Sequence, residues 1–463
     1  MTPSQYTPEE PISSIATALA PAALGIVRTS GKDCIELVSR IFSRPKALLE
    51  APGNTLVYGW IVEDAGKEKV DEVVCAVYKA PKSFTGEDMV EIFCHGGPAV
   101  VTAIQKLLLK SGFRQANRGE YTFRAYINGK TDLTKAEAVK EIIDSHTDVS
   151  RSHAAGRLSG SLFEEIDSIK KLIIDTLAEI EVEIEYPEDE ETIADTFDRK
   201  DIELAVSRLQ SLADSWKSEK LYQDGARVVL AGRTNAGKSS LFNAVLKEER
   251  AIVSDVEGTT RDWLESWASI NGIPVRLFDT AGLRETTDVV EAQGVKITKN
   301  LTQDADVVLY LVDSQKGMNE EDKEFINKCT EPLILVYTKM DKEQGSSAQE
   351  GAKPQEQNHP VVKVSSKTGQ GLKDLFDQVT KILTAGLSTD REQAGLGSAR
   401  QKEAVSQALE SVKHALISAD DNYTLDAVVQ DLENALDSLG EVTGDVTPDD
   451  VLGSIFANFC VGK

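Results

Sequence analysis

The sequence predicts a multidomain protein of α/β and α class, with an α+β domain first and an α/β domain inserted into a discontinuous helical domain. Three observations predict this fold. Short apolar strands alternate with helices near the start of the chain, purely helical periodicity follows, and strand–helix alternation then returns before helices resume. The predicted boundaries are 1–129 for the α+β domain, 130–223 and 386–463 for the helical domain, and 224–385 for the inserted domain.

Hydrophobic patterns support the first two domains. Residues Leu56–Val62 and Glu72–Tyr78 are predicted as strands, and Cys34–Phe42 and Ala99–Lys110 as helices. In Phe163–Tyr186, apolar residues recur at helical spacing, which predicts one long amphipathic helix.

The inserted domain is defined by the segment Gly232–Ser239, which has the pattern G-x-x-x-x-G-K-[ST] between an apolar strand and a helix-forming stretch. In this pattern the glycines let backbone N–H groups surround phosphates, and the helix N-terminus adds positive potential. Lys238 is predicted to reach the β- and γ-phosphate oxygens, and Ser239 to supply a hydroxyl to Mg²⁺. The sequence therefore predicts a phosphate-binding P-loop.

Two further segments predict the rest of the magnesium and γ-phosphate site. Asp279-Thr280-Ala281-Gly282 follows an apolar strand, so its carboxylate can hold the magnesium shell and its glycine amide can approach the γ-phosphate. Gly258-Thr259-Thr260 lies between this motif and the P-loop. Thr260 is the candidate switch threonine that would complete Mg²⁺ coordination together with Ser239.

The base-binding side is predicted from Thr338-Lys339-Met340-Asp341 and Ser365-Ser366-Lys367, which both follow apolar strands. The Asp341 carboxylate can accept hydrogen bonds from the guanine N1–H and 2-amino groups, which adenine cannot offer. Thr338 stands where asparagine is usual, a departure that could loosen the loop. The nucleotide is therefore predicted to be GTP, and the inserted domain a Ras-like GTPase domain.

The predicted nucleotide contacts all lie in these motifs or in the loop that joins them. They are Asn235, Ala236, Gly237, Lys238, Ser239, Ser240, Ser254, Asp255, Val256, Glu257, Gly258, Thr259, Thr260, Asp279, Thr280, Ala281, Gly282, Thr338, Lys339, Met340, Asp341, Ser365, Ser366 and Lys367.

The catalytic group departs from the Ras type. There, a glutamine after the D-x-x-G motif orients the attacking water, whereas Leu283 occupies that position here and cannot do so. A polar substitute must come from elsewhere, and Glu285, Asp288 and Glu291 follow in the same segment. The residues alone leave the choice among these three acids open.

Positive charge beside the phosphates also has several candidate sources. Arg233 and Arg261 could neutralise developing charge, and Asn235 could ligate a monovalent cation such as K⁺ that replaces an arginine.

Composition bounds the remaining possibilities. The chain has 463 residues, no apolar run long enough to span a bilayer, and no signal-peptide pattern at its N-terminus, so a cytoplasmic location without membrane attachment is expected. The five cysteines form no C-x-x-C pair, and four are expected to be buried thiols.

The net charge of −25, from 51 basic and 76 acidic residues, argues against broad electrostatic binding of nucleic acid. An RNA partner would need a local basic patch or a second protein. One weak candidate patch is formed by Arg114, Arg118, Arg124, Lys130, Lys135 and Lys140.

Five segments at the two ends of the chain carry a family resemblance. They are Ile26–Gly31, Phe84–Glu91, His95–Pro98, Arg118–Lys130 and the terminal Cys460–Lys463. Together they resemble the MnmE (TrmE) family of tRNA modification GTPases over essentially the whole chain.

The resemblance implies a function and partners. Members of this family act with an FAD-containing MnmG-type protein, as a heterotetramer, to add an aminomethyl-type group to C5 of the wobble uridine of tRNA. Their N-terminal domain forms a homodimer and binds a 5-formyltetrahydrofolate-type one-carbon donor. By motif, Arg28, Glu91, Lys130 and Lys463 would contact the folate. Cys460 would be a possible reactive thiol.

The resemblance also bears on the catalytic alternatives. It implies a potassium-dependent GTPase in which Asn235 ligates K⁺ together with Ser254, Val256 and Thr259, and in which Glu291 orients the water. A competing class is a regulatory GTPase of the ribosome-assembly type, which modifies nothing. A third is a GTPase that has lost the modification function.

Overall fold

The computed structural model describes residues 10–63, 68–185, 199–248, 264–279, 304–342, 359–386, 395–420 and 425–463. The chain divides into two compact units. The first contains residues 1–140, 158–206 and 403–463, and the second contains residues 141–157 and 207–402. In the sequence, the segments of the second unit therefore lie between segments of the first. The domain boundaries expected from the sequence stay predictions.

A six-stranded sheet organises the N-terminal part of the first unit. Its spatial order is β3-β4-β5-β2-β1-β6, and every neighbouring pair is antiparallel except β1 and β6. The strands are β1 Ile12–Ile15, β2 Ala22–Ser30, β3 Thr55–Glu63, β4 Glu68–Tyr78, β5 Met89–Gly96 and β6 Arg114–Gln115. Both strands predicted from the sequence are present, each slightly longer than expected.

One face of this sheet forms a core, as expected for strands with alternating apolar residues. Val57, Val73, Ile92 and Val27 are buried there with side chains of the helices Cys34–Ser39 (α1) and Pro98–Lys110 (α3). The helices of this part are α1 Cys34–Ser39, α2 Pro45–Leu49, α3 Pro98–Lys110 and α4 Glu120–Ile127.

The rest of the first unit is helical. The predicted long amphipathic helix is observed as α7 (Ser161–Glu185), in which Ile166, Ile169 and Ile173 are fully buried. Helix α7 packs along the helix Leu425–Thr443 (α13), close to the C-terminus. The helices that belong wholly or partly to this region are α5 Leu133–Asp144, α6 Asp148–Ser159, α7, α8 Arg199–Asp224, α12 Ala399–Asp420, α13 Leu425–Thr443 and α14 Asp449–Ala457.

The second unit is built on a six-stranded sheet of order β12-β11-β10-β7-β9-β8, parallel except for the edge strand β8. The strands are β7 Ala226–Gly232, β8 Leu264–Ile270, β9 Ile273–Asp279, β10 Val307–Asp313, β11 Leu333–Thr338 and β12 Val361–Lys363. Helices α9 Lys238–Glu248 and α11 Leu372–Leu383 cover one face, and α10 Glu320–Lys328 covers the other. The predicted fold class is confirmed.

Helical residues of the second unit are joined by a buried ion-pair cluster. The Arg157 guanidinium, 2% exposed, contacts the Glu141 and Glu219 carboxylates at 2.6 and 2.8 Å. Burial alone would raise the pKa of Glu219, but His153 and Arg157 hold it below its ordinary value. Leu396, fully buried, lies where the chain returns from the sheet to the helices.

The strand pair β8–β9 packs against residues that precede β7 in the chain. The indole of Trp267 stacks on the His146 imidazole, with ring centroids 3.9 Å apart. Gly225, at φ +70°, lies directly under this indole, since an added Cβ would come 2.5 Å from Trp267 Cζ3. Only glycine combines this backbone conformation with so close an approach.

In the described ranges, no helix is long and apolar enough to cross a membrane.

Replacing Gly225 with alanine is expected to lower the urea midpoint of unfolding. The left-handed backbone costs about 1–2 kcal/mol with a Cβ present, and the clash with Trp267 adds roughly 1–3 kcal/mol. The matched control is Gly317→Ala, at φ +66° with nothing within 4 Å of its added Cβ. Equal midpoints of the two variants, read from tryptophan fluorescence, would contradict the close packing of Trp267.

Candidate functional site

The phosphate loop joins β7 to α9 and opens into a cleft of about 520 Å³. Two residues in the loop have left-handed backbones, Asn235 at φ +62° and Gly237 at φ +96°. The cleft is lined by Thr234, Asn235, Gly237, Lys238, Ser239, Ser240 and Lys339. Most of the predicted P-loop contacts therefore face one cavity.

The Lys238 ammonium group lies against its own loop. It donates to the carbonyl oxygens of Gly232 and Arg233 at 2.8 and 2.9 Å, and the residue is only 6% exposed. These contacts hold a cation at the base of the cleft, where phosphate oxygens would bind.

Ser239 and Asp279 come together although they are distant in sequence. The Ser239 hydroxyl donates to Asp279 Oδ2 at 2.8 Å, and Asp279 is almost fully buried at the end of β9. A hydroxyl and a carboxylate are the hard oxygen ligands that Mg²⁺ prefers. The two side chains therefore fit a magnesium ion beside the phosphate loop.

The base-binding loop follows β11 and is tied to the phosphate loop. Thr338 was expected to loosen it, but its hydroxyl donates to the Ala236 carbonyl at 2.6 Å. Asp341 accepts a hydrogen bond from the Ser365 hydroxyl at 2.8 Å, which holds the carboxylate beside the next loop. The departure from asparagine thus leaves a hydrogen bond between the two loops.

One residue of this site was missed from the sequence. Asp313 ends β10, and its carboxylate accepts a hydrogen bond from the Lys339 ammonium group at 2.7 Å. The available signal was an aspartate at the carboxyl end of a buried strand. That signal is weak, because such a residue also begins many ordinary turns.

Arg233 was a candidate for neutralising charge at the phosphates. Its guanidinium instead lies 3.7 Å from the Asp322 carboxylate, which also accepts a hydrogen bond from the Tyr310 hydroxyl at 2.7 Å. Arg233 is thus directed toward helix α10.

Several predicted residues lie outside the described part of the chain. They are Ser254, Asp255, Val256, Glu257, Gly258, Thr259, Thr260, Arg261, Thr280, Ala281, Gly282, Leu283, Glu285, Asp288 and Glu291. The described residues Met340, Ser366 and Lys367 follow β11 and β12 as expected.

A second cluster, in the first unit, gathers candidate folate residues. Arg28 on β2 and Glu91 on β5 are register partners and form an ion pair at 2.8 Å. The Arg28 guanidinium also donates to the Gly462 carbonyl at 3.0 Å and lies over the Tyr121 and Phe84 rings. A cation, a carboxylate and the partly exposed Phe84 ring thus lie together, and the Tyr121 ring in the same cluster is fully buried.

The C-terminal segment is part of this cluster. Val461 forms a β-bridge with Arg118, and Gly119 N–H donates to the Cys460 carbonyl at 3.3 Å. Burial, with the Arg28 charge, lowers the pKa of the Lys463 ammonium. The terminal lysine is therefore held in the fold near Arg28 and Glu91.

Lys130, the last residue of the Arg118–Lys130 motif, contacts the loop beside this cluster. Its ammonium donates to the Pro81 carbonyl at 2.9 Å, at the other end of the loop that carries Phe84. Arg28, Glu91 and the terminal residues thus come together, whereas Lys130 contacts the loop beside them.

The cysteines divide by exposure. Cys34, Cys75 and Cys94 are buried, and burial raises the pKa of Cys75 to about 12. Cys329 is only half-buried, so the expectation of four buried thiols was wrong for it. Cys460 is exposed.

Arg114 and Arg124, two of the six residues in the proposed basic patch, are paired with acidic side chains of the same region. Arg124 is fully buried and pairs with Glu120 and Glu87, each at 2.9 Å, and Arg114 pairs with Glu120 at 2.6 Å. Burial of the Arg124 guanidinium requires acidic partners, and the partners of Arg114 and Arg124 cancel the charge that RNA would read at these two residues.

A largely parallel sheet with a P-loop, a magnesium-type pair of the Ser239 hydroxyl and the buried Asp279 carboxylate, and a base-side aspartate defines a P-loop GTPase, a GTP hydrolase. Residues 11–130 match the family profile described as the "GTP-binding protein TrmE N-terminus", and residues 133–460 match that of the "MnmE helical domain". The chain belongs to the MnmE (TrmE) family of tRNA modification GTPases.

Relatives over the full length agree. The chain is 51% identical to the tRNA modification GTPase MnmE of Treponema denticola, over 99% of both chains. It is 43% identical to that of Treponema pallidum, over 99% of both, and 41% identical to that of Carboxydothermus hydrogenoformans, over 98% of this chain and 100% of the other.

Replacing Asp341 with asparagine is expected to change the preferred base from guanine to xanthine. The amide loses the acceptor for the guanine 2-amino group and gains a donor for the xanthine C2 carbonyl, so GTP affinity falls about a hundredfold or more. Competition of GTP and XTP against a fluorescent GDP analogue measures this preference. Asp374→Asn, an exposed carboxylate on α11, is the matched control. An unchanged preference would remove Asp341 from the base site.

Proposed function

We propose that this GTPase acts with an FAD-containing MnmG-type protein to add an aminomethyl-type group to C5 of the wobble uridine of tRNA. The observation that carries the proposal is the C-terminal segment held against Arg28 and Glu91, hundreds of residues away in sequence. Because GTP hydrolysis does not require this cluster, binding of a second ligand is the better explanation for the cluster.

The ligand proposed for this cluster is a 5-formyltetrahydrofolate-type one-carbon donor. Its glutamate carboxylates suit Arg28, Lys130 and Lys463, and its pterin N–H groups suit the Glu91 carboxylate. The flat pterin and benzoyl rings suit the Phe84 ring, which is 39% exposed and lies beside Arg28. When bound, such a donor would supply a carbon at the formyl oxidation level. Cys460 stays a candidate thiol near this surface.

In the GTPase site, Ser239 and Asp279 fit Mg²⁺, and Thr260 is proposed to complete its shell. Potassium is proposed to bind beside the phosphates through Asn235, Ser254, Val256 and Thr259. A cation there would offset charge that develops during hydrolysis, a role that Arg233 does not fill while it faces Asp322.

A homodimer is proposed through the outer face of the first sheet. On this face Leu56, Tyr58 and Leu24 are 71%, 52% and 63% exposed. Leu56 and Tyr58 lie opposite Ala76 and Val74 in the register, so apolar side chains continue across neighbouring strands. A second copy of the chain would remove this apolar surface from water.

The tRNA is proposed to meet mainly the partner protein, because this chain has a net charge of −25. GTP hydrolysis is then a conformational switch for chemistry that both proteins share.

The complete reaction is testable by mass spectrometry of tRNA. Wobble uridine is expected to be modified only when this chain, an MnmG-type protein, GTP, K⁺ and a folate donor are all present. Arg28→Ala is expected to abolish modification and to keep GTP hydrolysis, with the exposed Arg40→Ala as control. Absence of modification, with hydrolysis and partner binding verified, would favour a regulatory GTPase.

The water-orienting carboxylate is proposed to be Glu291. Glu291→Ala is expected to lower turnover of bound GTP roughly 10²–10⁴-fold and to leave GTP affinity unchanged. Glu285→Ala and Asp288→Ala are the matched controls, and single-turnover assays with titrated nucleotide separate rate from affinity. Loss of turnover in a control variant, with normal turnover in Glu291→Ala, would reassign the role.

A further inference from the structure

We propose that Asp313 is a positioning residue for the phosphate loop and that it acts through Lys339. Asp313 belongs to none of the sequence motifs that predicted the site. The proposal rests on the contacts between the ends of β10 and β11 and the loop after β7, within the second unit.

Lys339 bridges two groups with one ammonium. Its Nζ donates to the Asp313 carboxylate and to the Asn235 carbonyl, both at 2.7 Å. Lys339 also has a left-handed backbone, at φ +64°. A residue other than glycine in this conformation is strained, and its surroundings must hold it there.

Asp313 is built to hold that ammonium. It is 8% exposed, and its second oxygen accepts a hydrogen bond from Gln315 N–H at 3.0 Å. Burial alone would raise the pKa of Asp313, but the bond from Lys339 keeps it below its ordinary value. The carboxylate is thus ionised at neutral pH, and the pair is charge-assisted.

The result at the loop is orientation of its peptide groups. Lys339 holds the Asn235 carbonyl, and the adjacent Thr338 hydroxyl holds the Ala236 carbonyl at 2.6 Å. Because the C=O and N–H of a peptide point in opposite directions, fixing the Ala236 carbonyl turns the Gly237 N–H away from Thr338, to the cleft side. The Asn235 carbonyl belongs to the same peptide as the Ala236 N–H, which donates to the Arg233 carbonyl at 3.2 Å, so Lys339 fixes the turn that leads to Gly237. By holding Lys339, Asp313 helps to fix this turn without lying in the cleft lining itself.

Asp313→Asn tests this role, because it is nearly isosteric and keeps an acceptor for Gln315. A fluorescent GDP analogue is expected to dissociate about tenfold faster, as for loss of one charge-assisted hydrogen bond. The preference for GTP over XTP stays that of the wild type, since Asp341 is untouched. Glu320→Gln, which changes an exposed carboxylate that pairs with Lys323 on α10, is the control.

A double-mutant cycle tests whether Asp313 acts through Lys339. Lys339→Met alone is expected to accelerate dissociation, and Asp313→Asn is expected to add nothing in that background. Asp313→Glu, which keeps the charge, should dissociate within about twofold of wild type. A wild-type rate for Asp313→Asn, equal acceleration by Asn and Glu, or full additivity with Lys339→Met would each overturn the proposal. Thermal midpoints that match the wild type separate this effect from unfolding.

Discussion

The nucleotide site depends on one constraint, the parallel register of β7, β10 and β11. This register brings the carboxyl ends of the three strands to one edge of the sheet, where Asp313 is paired with Thr338 and Gly232 with Leu311. Ligand sites of open parallel sheets form at this edge because every loop there can reach the others. The carbonyls of the phosphate loop can be held by the base-side loop only because β10, the strand between β7 and β11, is fixed to both by buried ladders. A shift of one residue in β10 would move Asp313 to the opposite face.

Much of this site could be predicted because its motifs are short and local. The phosphate loop needs glycine, lysine and a hydroxyl in consecutive positions, so the pattern carries its own geometry. Thr338 was harder to interpret, since a motif identifies the usual residue but gives no distance to the Ala236 carbonyl. Asp313 could not be found in this way. Its role depends on Lys339, which follows the neighbouring strand β11. The spacing of residues along the chain does not encode which strands are neighbours.

In the first unit, contacts between residues far apart in the sequence were also hard to predict. The pairing of Arg28 with the Gly462 carbonyl spans almost the entire chain, so only a family resemblance indicated it. For Arg114 and Arg124, two of the six residues in the candidate basic patch, the count of charges was misleading for a related reason. Charge counted along a segment says nothing of burial, and these guanidinium groups are neutralised by Glu120 and Glu87. Helical periodicity in Phe163–Tyr186 succeeded because it reports burial directly.

The Trp267 indole over Gly225 limits how the chain can be divided. A fragment cut at the start of β7 would keep Trp267 but lose Gly225 beneath it and the His146 ring that stacks on it. The excised α/β fragment would then present an aromatic side chain to solvent, on the hairpin whose strand β9 ends at Asp279. Enzymology on such a truncation would describe an altered surface, and a transplant of this module into another host should carry the histidine and the glycine along with it.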